Sequence, residues 1–319
     1  MQRPQPHEES PMDTLFRRIL LCLSLLVALP LAASATPPAQ HGLRGRLPML
    51  RDAGPRQRPF VLPAGARAIR DIAYGNDPAQ RFDLYLPANA RNAPVLFYVH
   101  GGGWHRGDKA NPGIDNKLRY WLPKGYAVVS VDYRMVPQVQ ALEQARDIAR
   151  AVATVQRRAR EWNLDASRTV LMGHSAGAHL VALLGADPRL LAEAGARRPR
   201  GVVSLDAGAL NVPALMSQRR VPRIYRDAFG DERSYWLATS PYQRLQRNAL
   251  PMLLVCSSQR RFPTSPCDEA DAMAGKARTL GVAMQVLPEP LDHGEINRNV
   301  GLPSEYTRTV ARYIDALMR

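Results

Sequence analysis

The sequence predicts an α/β protein, with a mostly parallel sheet covered by helices on both faces. Two observations carry this. Short apolar runs alternate with amphipathic helical stretches along most of the chain, the pattern that a parallel sheet with crossover helices requires. The 319 residues are 45% hydrophobic and 22% charged, enough to bury a sizeable core, which excludes a disordered, fibrous or disulfide-dense chain.

Taken in order, the strand candidates are Phe82 to Leu86, Val95 to His100, Ala127 to Tyr133, Val170 to Met172, Val202 to Leu205, Met252 to Cys256 and Met284 to Leu287. Each is a short apolar run rich in branched residues. Helices are expected over Ala141 to Trp162, Ala176 to Gly185, Pro266 to Leu280 and Pro303 to Met318. In the first of these, Leu142, Ala145, Ile148, Ala149, Val152 and Val155 recur at helical spacing, while Glu143, Arg146, Arg150 and Arg157 lie off that stripe. No internal repeat is visible. We expect one domain over 64–319, with a cap region over about 207–250.

Ahead of that domain stands a targeting segment. Arg17 and Arg18 precede an apolar run of 13 residues, Ile19 to Leu31, and then Ala33-Ser34-Ala35, a small-x-small cleavage pattern. We read residues 1–35 as a cleaved signal peptide. A membrane anchor needs about 20 apolar residues, which this run reaches only by recruiting Ala32 to Ala35. Met12 is an alternative start that leaves a shorter basic leader. Residues 36–63 are rich in Pro, Gly, Arg and Gln without apolar period, and read as a linker or arm. Losing the leader leaves Cys256 and Cys267, an even count that suggests a disulfide in an oxidising compartment, periplasmic or extracellular.

The formal charge is +15, from 43 basic against 28 acidic residues, and only Lys109, Lys117, Lys124 and Lys276 are lysines. The arginines are scattered rather than clustered with aromatics, which argues against a nucleic-acid partner. Weak attraction to anionic envelope surfaces stays open.

Two motifs carry chemistry. Gly173-His174-Ser175-Ala176-Gly177 lies between an apolar strand and an alanine-rich helix. A serine in a sharp strand-to-helix turn needs small residues two positions before and after it, which Gly173 and Gly177 supply. His100-Gly101-Gly102-Gly103-Trp104 follows the strand Val95 to Val99, and its consecutive glycines leave backbone N–H groups free to hold a negatively charged oxygen. The chain lacks both the G-x-x-x-x-G-K-[ST] phosphate loop and the G-x-G-x-x-G dinucleotide fingerprint.

Together with Arg106-Gly107-Asp108-Lys109, Val131-Asp132-Tyr133-Arg134 and Ala178-His179-Leu180, these motifs resemble the α/β-hydrolase esterases of the carboxylesterase, hormone-sensitive-lipase and arylformamidase-like (BD-FAE) group. The resemblance spans about Ile72 to Leu317 and is most specific before Gly185. It implies an α/β-hydrolase fold with a mostly parallel eight-stranded sheet, no cofactor and no metal, and hydrolysis of carboxylic esters or small amides through an acyl-serine. It assigns Ser175 as nucleophile, the N–H groups of Gly102, Gly103 and Ala176 as the oxyanion hole, and His293 as base. His100 and Trp104 brace the loop, and His174 and His179 are structural.

The acid is where the chain departs from that pattern. The family expects a carboxylate soon after the strand Met252 to Cys256, yet Ser257 to Ser265 holds none. We expect Asp268, which a Cys256–Cys267 bridge could draw toward the strand end, with Asp206 at the end of the preceding strand as the alternative. Asp292 is adjacent to His293 and poorly directed toward it, and a dyad without acid stays open. In the cap, Arg219, Arg220, Arg223, Arg226, Arg233, Arg244 and Arg247 lie among Tyr225, Phe229, Tyr235, Trp236 and Tyr242. They are either a pocket for an anionic substrate end or, as we expect, solvated. The reading is an exported serine hydrolase acting on small esters. Its alternatives are an amidase or arylformamidase, and a non-catalytic binding protein on the same fold.

Overall fold

Strands of branched and aromatic residues, buried on both sides, build the centre of the molecule. The computed structural model describes residues 60–111 and 113–319. Their strands are β1 (Arg67–Ala73), β2 (Arg81–Leu86), β3 (Ala93–Val99), β4 (Ala127–Val131), β5 (Leu164–His174), β6 (Gly201–Leu205), β7 (Met252–Ser257) and β8 (Met284–Glu289). They form one eight-stranded sheet in the order β1-β2-β4-β3-β5-β6-β7-β8. β2 runs antiparallel to β1 and β4, and every pairing from β4 to β8 is parallel.

Period-two alternation along the strands divides the core. Val95, Phe97, Val99, Val129, Val131 and Leu171 face one apolar cluster; Leu96, Tyr98, Val128, Val170 and Met172 face the other. Helices cover both. In chain order they are α1 (Ile114–Trp121), α2 (Ala141–Arg157), α3 (Ala176–Ala186), α4 (Arg189–Glu193), α5 (Val212–Met216), α6 (Arg223–Phe229), α7 (Arg233–Thr239), α8 (Pro241–Arg244), α9 (Pro266–Leu280), α10 (His293–Asn299) and α11 (Glu305–Leu317). Apolar residues of α2, α3 and α9 belong to the first cluster, and those of α1, α10 and α11 to the second. The expected fold class is the one observed.

Some expectations on the elements need correction. β1 is an element beyond those expected: it is an edge strand with only Ile72 buried, so its apolar pattern is weak. The helix expected over Ala141 to Trp162 is α2 followed by a 3₁₀ turn, Ala159–Trp162, which ends at Asn163 in a left-handed conformation. Between β6 and β7, the segment read as a cap holds the short helices α5 to α8. Residues 1–35, and the linker as far as residue 59, lie outside the described residues. Among the described residues no helix is long and apolar enough to cross a membrane.

Parallel strands place their carboxyl ends, and the loops after them, along one edge of the sheet. The chain segments carrying His100, Ser175, Asp206, Ser257 and His293 all leave that edge.

Candidate active site

Ser175 sits in the turn from β5 into α3 with φ 56° and ψ −116°, outside the regions that a serine ordinarily adopts. Close packing enforces the turn. A Cβ on Gly173 would lie 2.4 Å from the carbonyl oxygen of Gly177, and one on Gly177 would lie 2.3 Å from that of Val99. The Ser175 N–H donates to Leu205 O at 3.0 Å, tying the elbow to the end of β6.

His293 is the first residue of α10, and its side chain is 39% exposed. Its Nε2 accepts from Ser175 Oγ at 2.9 Å, and its Nδ1–H donates to Asp206 Oδ2 at 2.5 Å. Asp206 follows β6 with φ 48° and is fully buried. Its Oδ1 accepts the Ser257 N–H at 2.8 Å, and Oδ2 also accepts from Arg260 Nε at 2.9 Å. Burial alone would raise this carboxyl, but the hydrogen bond from His293, the Arg260 charge and the Ser257 N–H together hold it below the ordinary range.

Ser175, His293 and Asp206 are thus brought together, and Asp268 is not. The preferred acid is corrected for a geometric reason. Cys256 and Cys267 are bonded, with Cα atoms 5.2 Å apart, but Asp268 in the first turn of α9 is exposed to solvent. The next residue, Glu269, turns inward and accepts the Leu210 N–H at 2.8 Å. Burial raises the Glu269 carboxyl to about 7. Asp292 caps α10, accepting the Glu295 N–H at 2.6 Å.

The glycine-rich loop packs against the elbow. A Cβ on Gly101 would lie 2.9 Å from Ser175 Cβ. Gly102 has φ 124°, and a Cβ there would lie 1.7 Å from Arg106 O, so only glycine fits. Among the described residues no acceptor takes the N–H of Gly102, Gly103 or Ala176, which leaves these donors uncommitted beside the serine. The Tyr133 hydroxyl donates to His100 O at 3.0 Å, and Asp132 accepts the Lys109 N–H, so the Val131–Arg134 stretch props the loop from β4. Trp104 is buried against Tyr225 and Phe229, and its Nε1–H donates to His179 Nδ1 at 3.2 Å. His179 passes its other N–H to Thr239 O. His174 donates from Nε2 to His293 O at 2.8 Å. Burial drives His100 and His179 down to about 4; burial and the neighbouring His293 take His174 to about 3, so all three are neutral.

A cleft of about 290 Å³ opens over Ser175, lined by Gly102, Gly103, Trp104, Ile224, Tyr225 and His293 among others. Arg106 also reaches it, whereas none of the seven cap arginines does. Six of those are exposed, as expected, whereas Arg244 is half-buried and pairs with Asp187. A larger cleft of about 710 Å³ lies at the amino ends of β3 and β5 and holds no site residue. Three residues of the site were not expected: Arg260 and Ser257, which hold Asp206, and Gly208, which lines the cleft and donates its N–H to Ser175 O at 2.9 Å. The available signal was the segment after β7, where a basic residue stands in place of the expected acid. Among the described residues no group of three or more His, Cys, Asp or Glu is placed to hold a metal ion.

Strand order and the serine elbow define an α/β-hydrolase fold. Residues 82–193 match the family model described as BD-FAE. The chain is 29% identical over 240 residues to the esterase LipC of Mycobacterium tuberculosis, covering 66% of this chain and 55% of that one. It is 37% identical over 115 residues to the probable isoprenylcysteine alpha-carbonyl methylesterase ICMEL1 of Arabidopsis thaliana, covering 35% of this chain and 24% of that one. The chain thus spans just over half, or less, of these curated relatives. A truncated carbohydrate esterase from gut microbiota superposes with a TM-score of 0.67 at 17% identity, covering 79% of this chain and 96% of that one. By these likenesses the chain has the α/β-hydrolase fold and resembles the esterases of that fold, with the BD-FAE match confined to residues 82–193.

Proposed function

We propose that the protein is an exported serine hydrolase that cleaves small carboxylic esters. The observation that carries this is the chain of hydrogen bonds from Ser175 Oγ through His293 to Asp206, at 2.9 and 2.5 Å. Ser175 Oγ attacks the ester carbonyl as its proton passes to His293 Nε2. The carbonyl oxygen gains negative charge and is stabilised by the N–H groups of Gly102, Gly103 and Ala176. His293 returns the proton to the leaving alkoxide as the C–O bond breaks, leaving an acyl-serine and a free alcohol. Water then attacks the acyl carbon, its proton passing to His293 and on to Ser175 Oγ, and the carboxylic acid departs. Throughout, Asp206 keeps His293 in the tautomer with Nδ1–H and stabilises the imidazolium.

The small cleft, walled by Trp104, Ile224 and Tyr225, favours short acyl groups. The non-catalytic alternative rests on the missing acid after β7 and on the basic, cap-rich surface, and Asp206 beside His293 weighs against the first of these. The leader at residues 1–35 supports export, as does the Cys256–Cys267 pair. The test is a panel of p-nitrophenyl esters of increasing acyl length beside the matching anilides. Short esters should turn over fastest; faster turnover of the anilides would make the protein an amidase. An N-terminus upstream of Ala35 in protein recovered from the cell envelope would contradict the cleaved leader.

A further inference from the structure

Arg260 stands in the segment after β7 where a carboxylate was expected. That segment is pinned at its root. Ser257 Oγ accepts the N–H groups of Gln259 and Arg260 and donates to Leu291 O at 2.6 Å, while the Cys256–Cys267 bond closes its base. From this fixed turn the guanidinium, only 13% exposed, reaches back across the sheet edge. Its Nε–H donates to Asp206 Oδ2 at 2.9 Å and its Nη2–H to Ala207 O at 2.7 Å. Asp206 Oδ2 is therefore shared between His293 and Arg260, while Ser257 holds Oδ1.

We propose that Arg260 is a positioning residue for the His293–Asp206 pair: it fixes the carboxylate that accepts the Nδ1–H of His293, and its positive charge offsets the charge of that carboxylate. This rests on the serine-hydrolase reading for its consequence in catalysis, but not for its effect on His293. An isolated buried aspartate would stabilise the imidazolium strongly and keep the base protonated at higher pH. Paired with Arg260, the same carboxylate still accepts the Nδ1–H of His293, but its charge is partly offset by the guanidinium.

Of the other groups facing this pair, Arg106 lines the same cleft but forms no ion pair with Asp206 among the described residues. The His174 ring lies 4.6 Å from His293, centroid to centroid, and is held neutral by burial. Lys117 of α1 is fully buried, donating to Gly113 O, Asn297 O and Asn297 Oδ1, and burial lowers it to about 7. Tyr225 of α6 and Tyr306 of α11 have hydroxyls raised by burial and remain uncharged. Glu289 ends β8, with its carboxyl raised by partial burial, and α10 itself carries the exposed Asp292 and Arg298 together with Glu295. Glu269 of α9 is a second, half-buried acid within the field of Arg260. Removing Arg260 leaves Asp206 and Glu269 without their shared cation, so proton affinity at the site must rise.

The test is the titration of His293 in ¹³C,¹⁵N-histidine-labelled protein by NMR, assigned with His293→Gln. It is run on the wild type, Arg260→Met, Arg260→Gln and Arg260→Lys. We expect the His293 midpoint to rise by about one unit or more in the Met and Gln variants and to stay within about 0.3 unit in the Lys variant, which keeps the charge. The acid limb of kcat/KM on p-nitrophenyl acetate should move with it. The Gln variant retains an amide donor and serves if the Met variant does not fold. Unchanged midpoints in the neutral variants, or a Lys variant that shifts as far as Met, overturn the proposal. Fluorophosphonate labelling of Ser175 on the wild-type sample separates the two claims. Labelling without a His293 shift defeats the role of Arg260 alone, while a shift without labelling defeats the hydrolase reading and leaves Arg260's effect on His293 standing.

Discussion

Asp206 Oδ2 lies 2.5 Å from His293 Nδ1, although 87 residues separate the two in the chain. The ends of β6 and β8 meet through the β7 turn, where the Ser257 N–H and the Arg260 guanidinium also close on the carboxylate.

This geometry predicts opposite behaviour for two aspartates. Asp206→Asn should lower kcat by up to about 10⁴-fold with little change in KM, because the amide cannot hold the Nδ1–H tautomer or stabilise the imidazolium. Asp268→Asn, at an exposed position in the first turn of α9, should leave kcat intact and cost at most about 1 kcal/mol of stability. Steady-state kinetics and urea unfolding of both variants check this.

The glycine-rich loop gives a second expectation. Gly102→Ala places a methyl group against Arg106 O and forces an unfavourable φ, which displaces the donors beside Ser175. We expect kcat to fall roughly 10²- to 10³-fold, the effect of losing an oxyanion donor, while Ser175 and His293 stay intact. Full activity in this variant would place the oxyanion donors elsewhere.

How far this site was legible follows from which residues are fixed by local chemistry. Gly173 and Gly177 were readable because backbone contact at the elbow excludes any Cβ. The acid was not, because adjacent positions on a helix differ by about 100° in direction. Asp268 and Glu269 therefore face solvent and interior respectively, and the disulfide beside them does not alter that. Asp206 was within reach only as the residue ending a strand. Arg260 was not legible because its partner, Asp206, lies 54 residues earlier in the chain and only the fold brings the two together. The helices α4 to α8 run four to seven residues, too short for a helical period to show.

The buried imidazoles predict acid lability. His100, His174 and His179 fold in the neutral form with depressed values, whereas the unfolded chain protonates them near 6.5. Their contribution is complete above about pH 6.5 and is lost as pH falls toward 4 for His100 and His179 and toward 3 for His174. Stability should therefore drop by on the order of several kcal/mol over that window. Urea midpoints at intervals from pH 7.5 to 4.5 test this, and His179→Gln should flatten the slope by about one proton.

The Cys256–Cys267 bond closes a short loop that carries Arg260. Reducing it in the folded protein should cost about 3 kcal/mol on the chain-entropy account. Non-reducing peptide mass spectrometry should recover the pair from protein purified without reductant; two free thiols there would remove the bond from the account.

The central claim, that Ser175 is a nucleophile activated by His293 and Asp206, is tested most directly by a fluorophosphonate probe on the purified protein. The account predicts one covalent adduct per chain, on Ser175, lost in Ser175→Ala and formed much more slowly in Asp206→Asn. A well-folded wild-type protein that gives no adduct, or carries it on another residue, would contradict it.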